Sequence, residues 1–346
     1  MSKTDFISSG GGKVQSFDPF MLRDRAGMNK TLGNRRDFLR LGALASSSAL
    51  AGVLSVPIPN RAAEPSRPTQ FQIACMTLPY SRFPLQRALT GIKSAGYEYV
   101  AWGTTHNEEG GDRVPVMPAD APPQQARELG DRCRDLELTP LMMFSMVYPE
   151  HEDALKILTN RIKQAGAAGM PQVLTFGHTK GGNRKLWVER FSQLGLIARD
   201  HNVMIVVKQH GGETGTGKAC AEIVREVNDP AIMVNYDAGN VMDYLDVDPI
   251  PDIQTCADVI RSFCIKDHRN WPEDRDCGPG LGEIDHYRLL HPVAFRGIKM
   301  PLCCENISAP LISFPNNPEG VDDLARRARE FLQIVIQGLQ SPESLG

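Results

Sequence analysis

Beyond residue 70 the chain alternates between two hydrophobic rhythms. Short runs dense in apolar and β-branched residues read as strands over residues 71–78, 99–104, 139–146, 172–178, 203–210, 232–240, 260–268 and 300–306. Between them, apolar residues recur at helical spacing, which predicts helices over 85–95, 124–136, 152–168, 185–200, 217–227 and 285–295, with a last helix over 319–338. Eight strand–helix units at spacings of roughly 28 to 40 residues call for parallel strands joined by helical crossovers. An open doubly wound sheet is the competing layout. It usually carries a glycine-rich phosphate turn after the first strand, where this chain reads Thr77-Leu78-Pro79-Tyr80. The expected fold is α/β, a single (β/α)8 TIM barrel preceded by a signal segment.

That segment breaks the rhythm. Asn34-Arg35-Arg36-Asp37-Phe38-Leu39-Arg40 precedes an apolar run of small and aliphatic residues over 41–56, followed by a proline-rich polar stretch. Such an order fits an export signal. Its arginine pair followed by Phe38-Leu39 resembles a twin-arginine signal, which implies the twin-arginine translocase as a partner and a periplasmic destination. A short buried helix or an uncleaved membrane anchor is the alternative. Cleavage is expected near Ala62-Ala63, dividing the chain into an extension, 1–63, and a barrel domain, 64–346. Residues 1–27 are rich in Gly and Ser without a helical period, so Met28 is expected to be the true start.

Charge and composition narrow the function classes. The 346 residues carry 38 Lys and Arg against 41 Asp and Glu, a net charge of −3, which argues against a nucleic-acid-coating surface. A hydrophobic share of 41% with 23% charged residues is that of a folded globular chain rather than a disordered one. An oxidising compartment would permit disulfides among the eight cysteines. They form no CxxC pair, however, and several lie in strand-like runs, so most are expected to be core.

In a barrel of this kind the site lies at the C-terminal ends of the strands. Here those ends are unusually polar: His178 after the fourth run, Lys208-Gln209-His210 after the fifth, Asp237 and Asn240 in the sixth, Lys266-Asp267-His268 in the seventh and Glu305-Asn306 in the eighth. Side chains alternate along a strand, so Lys208 and His210 share a face. If that face is the lumen, His210, Asp237, His268 and Glu305 converge from four consecutive strands. Two imidazoles and two carboxylates suit one divalent ion such as Mn²⁺, Zn²⁺, Co²⁺ or Fe²⁺, with Mg²⁺ also considered. A single histidine at a strand end is usually a hydrogen-bonded structural residue; the fourfold coincidence favours a metal.

The runs YDAGN and KDH, the later Gly280-Leu281-Gly282-Glu283-Ile284-Asp285 and the last strand's CEN resemble the sugar phosphate isomerase/epimerase group with xylose-isomerase-like barrels. The resemblance covers roughly residues 70–335. It implies a carbohydrate substrate and metal binding by Asp237, His268 and Glu305, while the charge balance and the export signal leave no nucleic-acid partner expected. The group commonly adds a strand-5 Glu followed two residues later by His. This chain keeps His210 but has Lys208 at the Glu position. An ammonium cannot ligate a metal, so either His210 takes that role or the site loses a ligand.

A metal holding a carbonyl and its neighbouring hydroxyl would stabilise an enediolate while a base removes the α-proton. Glu305 is the expected base, and Lys208, with a depressed pKa, the second acid or base. Schiff-base formation by Lys208 is a weaker alternative, and a structural salt bridge to Asp237 or Glu305 in a metal-free barrel is the bland one. The outcome would be isomerisation, epimerisation or elimination. Loss of the second carboxylate favours a one-way elimination.

Further substrate contacts are expected from His178, Asn240, Arg269, Trp102, His106 and Trp271, and the glycine-rich 211–217 loop could hold a phosphate or hydroxyl at a helix N-terminus. A neutral sugar, keto-glycoside or polyol fits an exported enzyme better than a sugar phosphate. The rival readings are a non-catalytic sugar-binding barrel and an endonuclease IV-like repair enzyme; a homodimer is compatible with each.

Overall fold

The computed structural model describes residues 67–341; the signal-like segment, Met28 and the expected cleavage position lie outside the described residues. The apolar runs become eight barrel strands: β1 (Gln70–Met76), β2 (Tyr99–Trp102), β3 (Thr139–Phe144), β4 (Gln172–Phe176), β5 (Met204–Lys208), β6 (Ile232–Tyr236), β7 (Ile260–Ile265) and β8 (Lys299–Cys304). Neighbours pair in parallel, and the ring closes where β8 lies beside β1, with Gln70 opposite Lys299 and Cys75 opposite Cys304. The fold is a (β/α)8 TIM barrel.

Helices α1 (Leu85–Ser94), α2 (Pro123–Asp135), α3 (Ala154–Ala168), α4 (Arg184–Asp200), α5 (Gly217–Val227), α6 (Ala238–Leu245), α7 (Pro249–Gln254), α8 (His286–Leu290) and α9 (Pro318–Leu339) surround the barrel. Local chemistry fixes their ends. Asn183, Thr216 and Asn317 accept backbone N–H groups at the starts of α4, α5 and α9. Gly169, at φ +70°, ends α3 in the left-handed conformation that a Cβ disfavours.

Strand alternation divides the core into two layers. Met76, Phe144, Phe176, Val206, Cys264 and Cys303 pack with one another inside the barrel. Trp102, Val173, Val207, Phe263 and Cys304 belong to the larger cluster beneath the helices. All eight cysteines are free and buried, in line with the expected core role. Among the described residues no helix is long and apolar enough to cross a membrane.

The expected strand runs overshoot at the site end. The run 232–240 divides because Asp237 turns its carboxylate to the Asn240 N–H and caps α6, a helix hidden within the apparent strand. The run 260–268 stops at Ile265, and Asp267–Arg269 leaves the barrel to pair antiparallel with Arg275–Cys277. The expected 285–295 helix is α8 followed by a 3-10 turn, His291–Val293, since Pro292 has no N–H to continue α-helical bonding.

Candidate active site

Lys208 closes β5 with its side chain on the lumen face. Its Nζ donates to Glu305 Oε1 at 2.8 Å and Oε2 at 2.7 Å, and lies 3.0 Å from Asp237 Oδ2. Phe144 and Phe176 wall its other side, with ring centroids 5.3 and 6.0 Å from Nζ. The Lys208 side chain is 3% exposed, Asp237 is fully buried and Glu305 is 10% exposed, so Glu305 is the most open member of the trio. Cys264, two residues before Lys266 on the same lumen-facing parity, brings its Sγ within 4.8 Å of the Asp237 and Glu305 carboxylates. Lys266 reaches the cluster from the end of β7: its Nζ is 3.7 Å from Asp237 Oδ2 and 2.9 Å from Asp276 Oδ2, and it donates to Asn240 Oδ1.

Burial disfavours charge throughout this cluster, and the neighbours decide which groups keep it. For Lys208, burial is opposed by Glu305 and then Asp237, which together raise its pKa. The depressed pKa expected from the sequence is thus corrected: in this structure the flanking groups are carboxylates. Lys266 is raised in the same way by Asp237 and Asp276 against its burial. Burial pushes the Glu305 carboxyl up, but the two lysines overcome it and hold the group at about 2. At Asp237 burial wins over Lys266 and Lys208, and its pKa rises to about 6. Two adjacent carboxyl groups are therefore pushed apart, a pattern that separates an ionised base from a group able to carry a proton near neutrality.

His210 stands beyond Lys208, between Phe176 and Tyr244. Its Nδ1 donates to the Gly177 carbonyl at 2.8 Å, which makes Nε2 the basic nitrogen of the neutral ring. Burial, then Lys208, lowers its pKa to about 4.

The four expected ligands do not gather around one point. Among the described residues the potential donor groups are Asp237 with Cys264 and Glu305, and separately Asp243 with His268 and Asp274; His210 joins neither. His268 is diverted by the hairpin that carries it out of the barrel, where its Nδ1 pairs with Asp276 at 3.0 Å and its Nε2 lies 3.3 Å from Asp274. The donor set between β6 and β8 does not fit a divalent ion. The ammonium of Lys208 lies between the two carboxylates that would have to hold such an ion, 3.0 Å from Asp237 and 2.7 Å from Glu305. A dication about 4 Å from an ammonium is repelled by about 8 kcal/mol at an effective dielectric near 20.

The expected substrate contacts fare unevenly. Asn240 is buried, with its amide donating to Gln209 O at 2.7 Å and accepting from Lys266, so it positions the lysine. Trp102 lies in the layer under the helices, since its parity points away from the lumen. His106 is buried in a side hairpin and donates from Nδ1 to Phe83 O at 2.8 Å. Arg269 donates to the Trp271 carbonyl, while Trp271 itself is 77% exposed. His178 is exposed and stacks on Tyr148 at 3.9 Å. The 211–217 loop is already satisfied: Thr216 accepts the Ala219 N–H, and Asp252 accepts the Gly217 N–H at 2.7 Å. Two surface clefts, of about 420 and 370 Å³, are lined by none of the expected site residues.

Asp267, the middle residue of KDH, has a role the sequence conceals. It accepts N–H bonds from His268, Gly280, Gly282 and Ile284, and so ties the Gly280–Ile284 motif beneath the site. Gly282 is required by that approach, because a Cβ there would meet Asp267 Oδ1 at 2.3 Å and the His268 carbonyl at 2.4 Å.

A family model for the xylose isomerase-like TIM barrel matches residues 89–333, from within α1 to within α9. The chain belongs to that family. Solved structures with similar folds include an L-ribulose 3-epimerase, at 16% identity and a TM-score of 0.62, covering 79% of this chain and 97% of that one. Another is the IolI protein with a bound zinc atom, at 16% identity and a TM-score of 0.61, covering 78% and 99%. A third is a xylose isomerase-like TIM barrel/4-hydroxyphenylpyruvate dioxygenase fusion protein, at 19% identity and a TM-score of 0.59; the alignment covers 79% of this chain but 44% of the fusion. No curated protein matches the sequence. At these identities the likeness is one of fold.

Proposed function

We propose that this barrel is an enzyme that removes the proton beside a carbonyl of a sugar, keto-glycoside or sugar-like polyol, leading to isomerisation, epimerisation or elimination. The observation that carries the reading is the buried Lys208 ammonium held against Glu305, the most open carboxylate of the cluster. A substrate carbonyl oxygen that takes over one Lys208 N–H releases one Glu305 oxygen from its ion pair. That oxygen becomes more basic as it loses its partner, and it faces the polarised substrate. Asp237, fixed by the Asn240 N–H at 3.0 Å, holds Lys208 from below, and neutral His210 offers Nε2 to a substrate hydroxyl. Family membership and the epimerase among the similar folds support a carbohydrate as substrate. The twin-arginine-like segment supports export, which cell fractionation of tagged full-length protein would check.

The test is incubation of the full-length protein in D₂O with ketoses, aldoses, 3-keto-glycosides and inososes, following the α-proton signal by NMR. At least one class exchanges, and Glu305→Gln slows that exchange by roughly 10²-fold or more. Undiminished exchange in Glu305→Gln would refute the assignment. Stabilisation by a sugar without exchange in any class would make the barrel a binder.

A further inference from the structure

Lys208 and Lys266 approach the same atom from the ends of β5 and β7. Their Nζ atoms lie 3.0 and 3.7 Å from Asp237 Oδ2, so two unit positive charges converge on one buried carboxylate oxygen. The surrounding residues are shaped for these ammonium groups. Glu305 grips Lys208 with both oxygens, and the faces of Phe144 and Phe176 add cation–π attraction. Asn240 and Asp276 hold Lys266. Gly239 clears its path, because a Cβ at that position would meet Lys266 Cγ at 2.7 Å and Cε at 2.8 Å. Two residues before Lys266, inside the barrel, Cys264 brings its Sγ within 4.8 Å of the Asp237 and Glu305 carboxylates.

We propose that the Lys208–Lys266 pair replaces a divalent metal as the cation of this site. The catalytic half of this inference rests on the proton-abstraction reading; the replacement itself rests on the geometry. In the reaction, Glu305 accepts the α-proton, the C–H electron pair becomes the C=C bond, and the carbonyl π pair moves onto oxygen. A Lys208 N–H stabilises that oxygen, with Lys266 supplying the second positive charge. No electrons leave the substrate and no co-reactant enters.

Metal content separates the two halves, since it needs no substrate. Full-length wild type, Lys208→Glu and Glu305→Gln are each incubated with Mn²⁺, Co²⁺, Zn²⁺ or Mg²⁺, freed of excess ion, and assayed by elemental analysis. Wild type retains less than roughly a tenth of an ion per chain, and folded Lys208→Glu, whose new carboxylate joins Asp237 and Glu305, retains about one. Retention of about one ion by wild type, lost in Glu305→Gln, overturns the replacement. So does a folded Lys208→Glu that holds no more metal than wild type. Should Lys208→Glu not fold, thermal melts decide: a metal-induced rise in the Tm of wild type overturns the proposal, and a rise confined to Lys208→Gln supports it. Failure of the proton-abstraction reading would appear separately, as absent α-proton exchange in a metal-free protein.

Discussion

Replacing Lys208 by Met isolates the energetic role of the ammonium. Methionine keeps an unbranched stem of similar length against Phe144 and Phe176, so little volume is lost, while the charge disappears. Both Glu305 oxygens then lose their 2.7–2.8 Å donor, and fully buried Asp237 keeps only Lys266, at 3.7 Å, as an ion-pair partner. Removing one partner from a buried ion pair costs about 3–5 kcal/mol, because the remaining charge stays desolvated. With a urea dependence of about 3 kcal/mol/M, the unfolding midpoint at pH 7 falls by about 1 M or more. The double variant Lys208→Met/Glu305→Gln removes both charges and regains most of the loss, giving a coupling energy of about 2 kcal/mol or more in the cycle. A midpoint for Lys208→Met within about 0.3 M of wild type, or strictly additive losses in the cycle, would show that the cluster is not a coupled buried pair.

Three further outcomes follow from individual contacts. Asp237, raised to about 6, binds its proton more tightly folded than unfolded, so its stabilising contribution is complete below about pH 4 and disappears as pH rises through 6. Two pKa units correspond to about 3 kcal/mol; Asp237→Asn should flatten the fall in urea midpoint between pH 4.5 and 6.5 (about the window of the shift), and an unchanged slope would contradict the assignment. Gly282→Ala forces a Cβ to 2.3 Å from Asp267 Oδ1 and should cost about 2 kcal/mol, read as a lowered Tm; a Tm equal to wild type would mean the loop does not depend on that approach. His210→Gln keeps a donor near the Gly177 carbonyl but removes the basic Nε2, so α-proton exchange should fall about 10-fold or more with stability nearly unchanged, in a paired NMR and melting measurement.

The fold was legible because a barrel strand buried on both faces writes a continuous apolar run. All eight runs coincide with strands, although their polar ends belong to caps and hairpins. Parity likewise placed Lys208, Asp237 and Glu305 together, since each stands at a strand end on the lumen side. It also contained what the sequence reading missed. Counting forward from Cys264 in the lumen leads to Lys266, whereas His268 lies past the end of β7, where alternation no longer applies. Trp102 falls on the outward parity shared with Val100. Asp267 could not be read at all, because three of its four backbone donors come from the Gly280–Ile284 loop, brought beneath it only by the chain's return.

An ammonium in place of a metal would alter more than the source of charge. A dication accepts oxygen lone pairs from several directions and cannot give up a proton; an ammonium has three N–H bonds. Here both Glu305 oxygens accept from Lys208 Nζ at 2.7 and 2.8 Å and Asp237 Oδ2 lies 3.0 Å away, so a substrate oxygen that takes a Lys208 N–H from Glu305 breaks part of that ion pair. A neutral carbonyl is a poorer partner for an ammonium than the carboxylate it displaces, because the charge-assisted bond is the stronger one. An enediolate oxygen, carrying the charge that forms as the α-proton leaves, competes on equal terms. The same displacement frees the Glu305 oxygen that accepts the proton, so the exchange of partners is unfavourable with bound substrate and becomes favourable as the reaction proceeds. An interaction that strengthens between ground state and transition state lowers the barrier rather than merely tightening binding. The ion pair that holds the resting site together is therefore the same contact whose rearrangement would drive the chemistry.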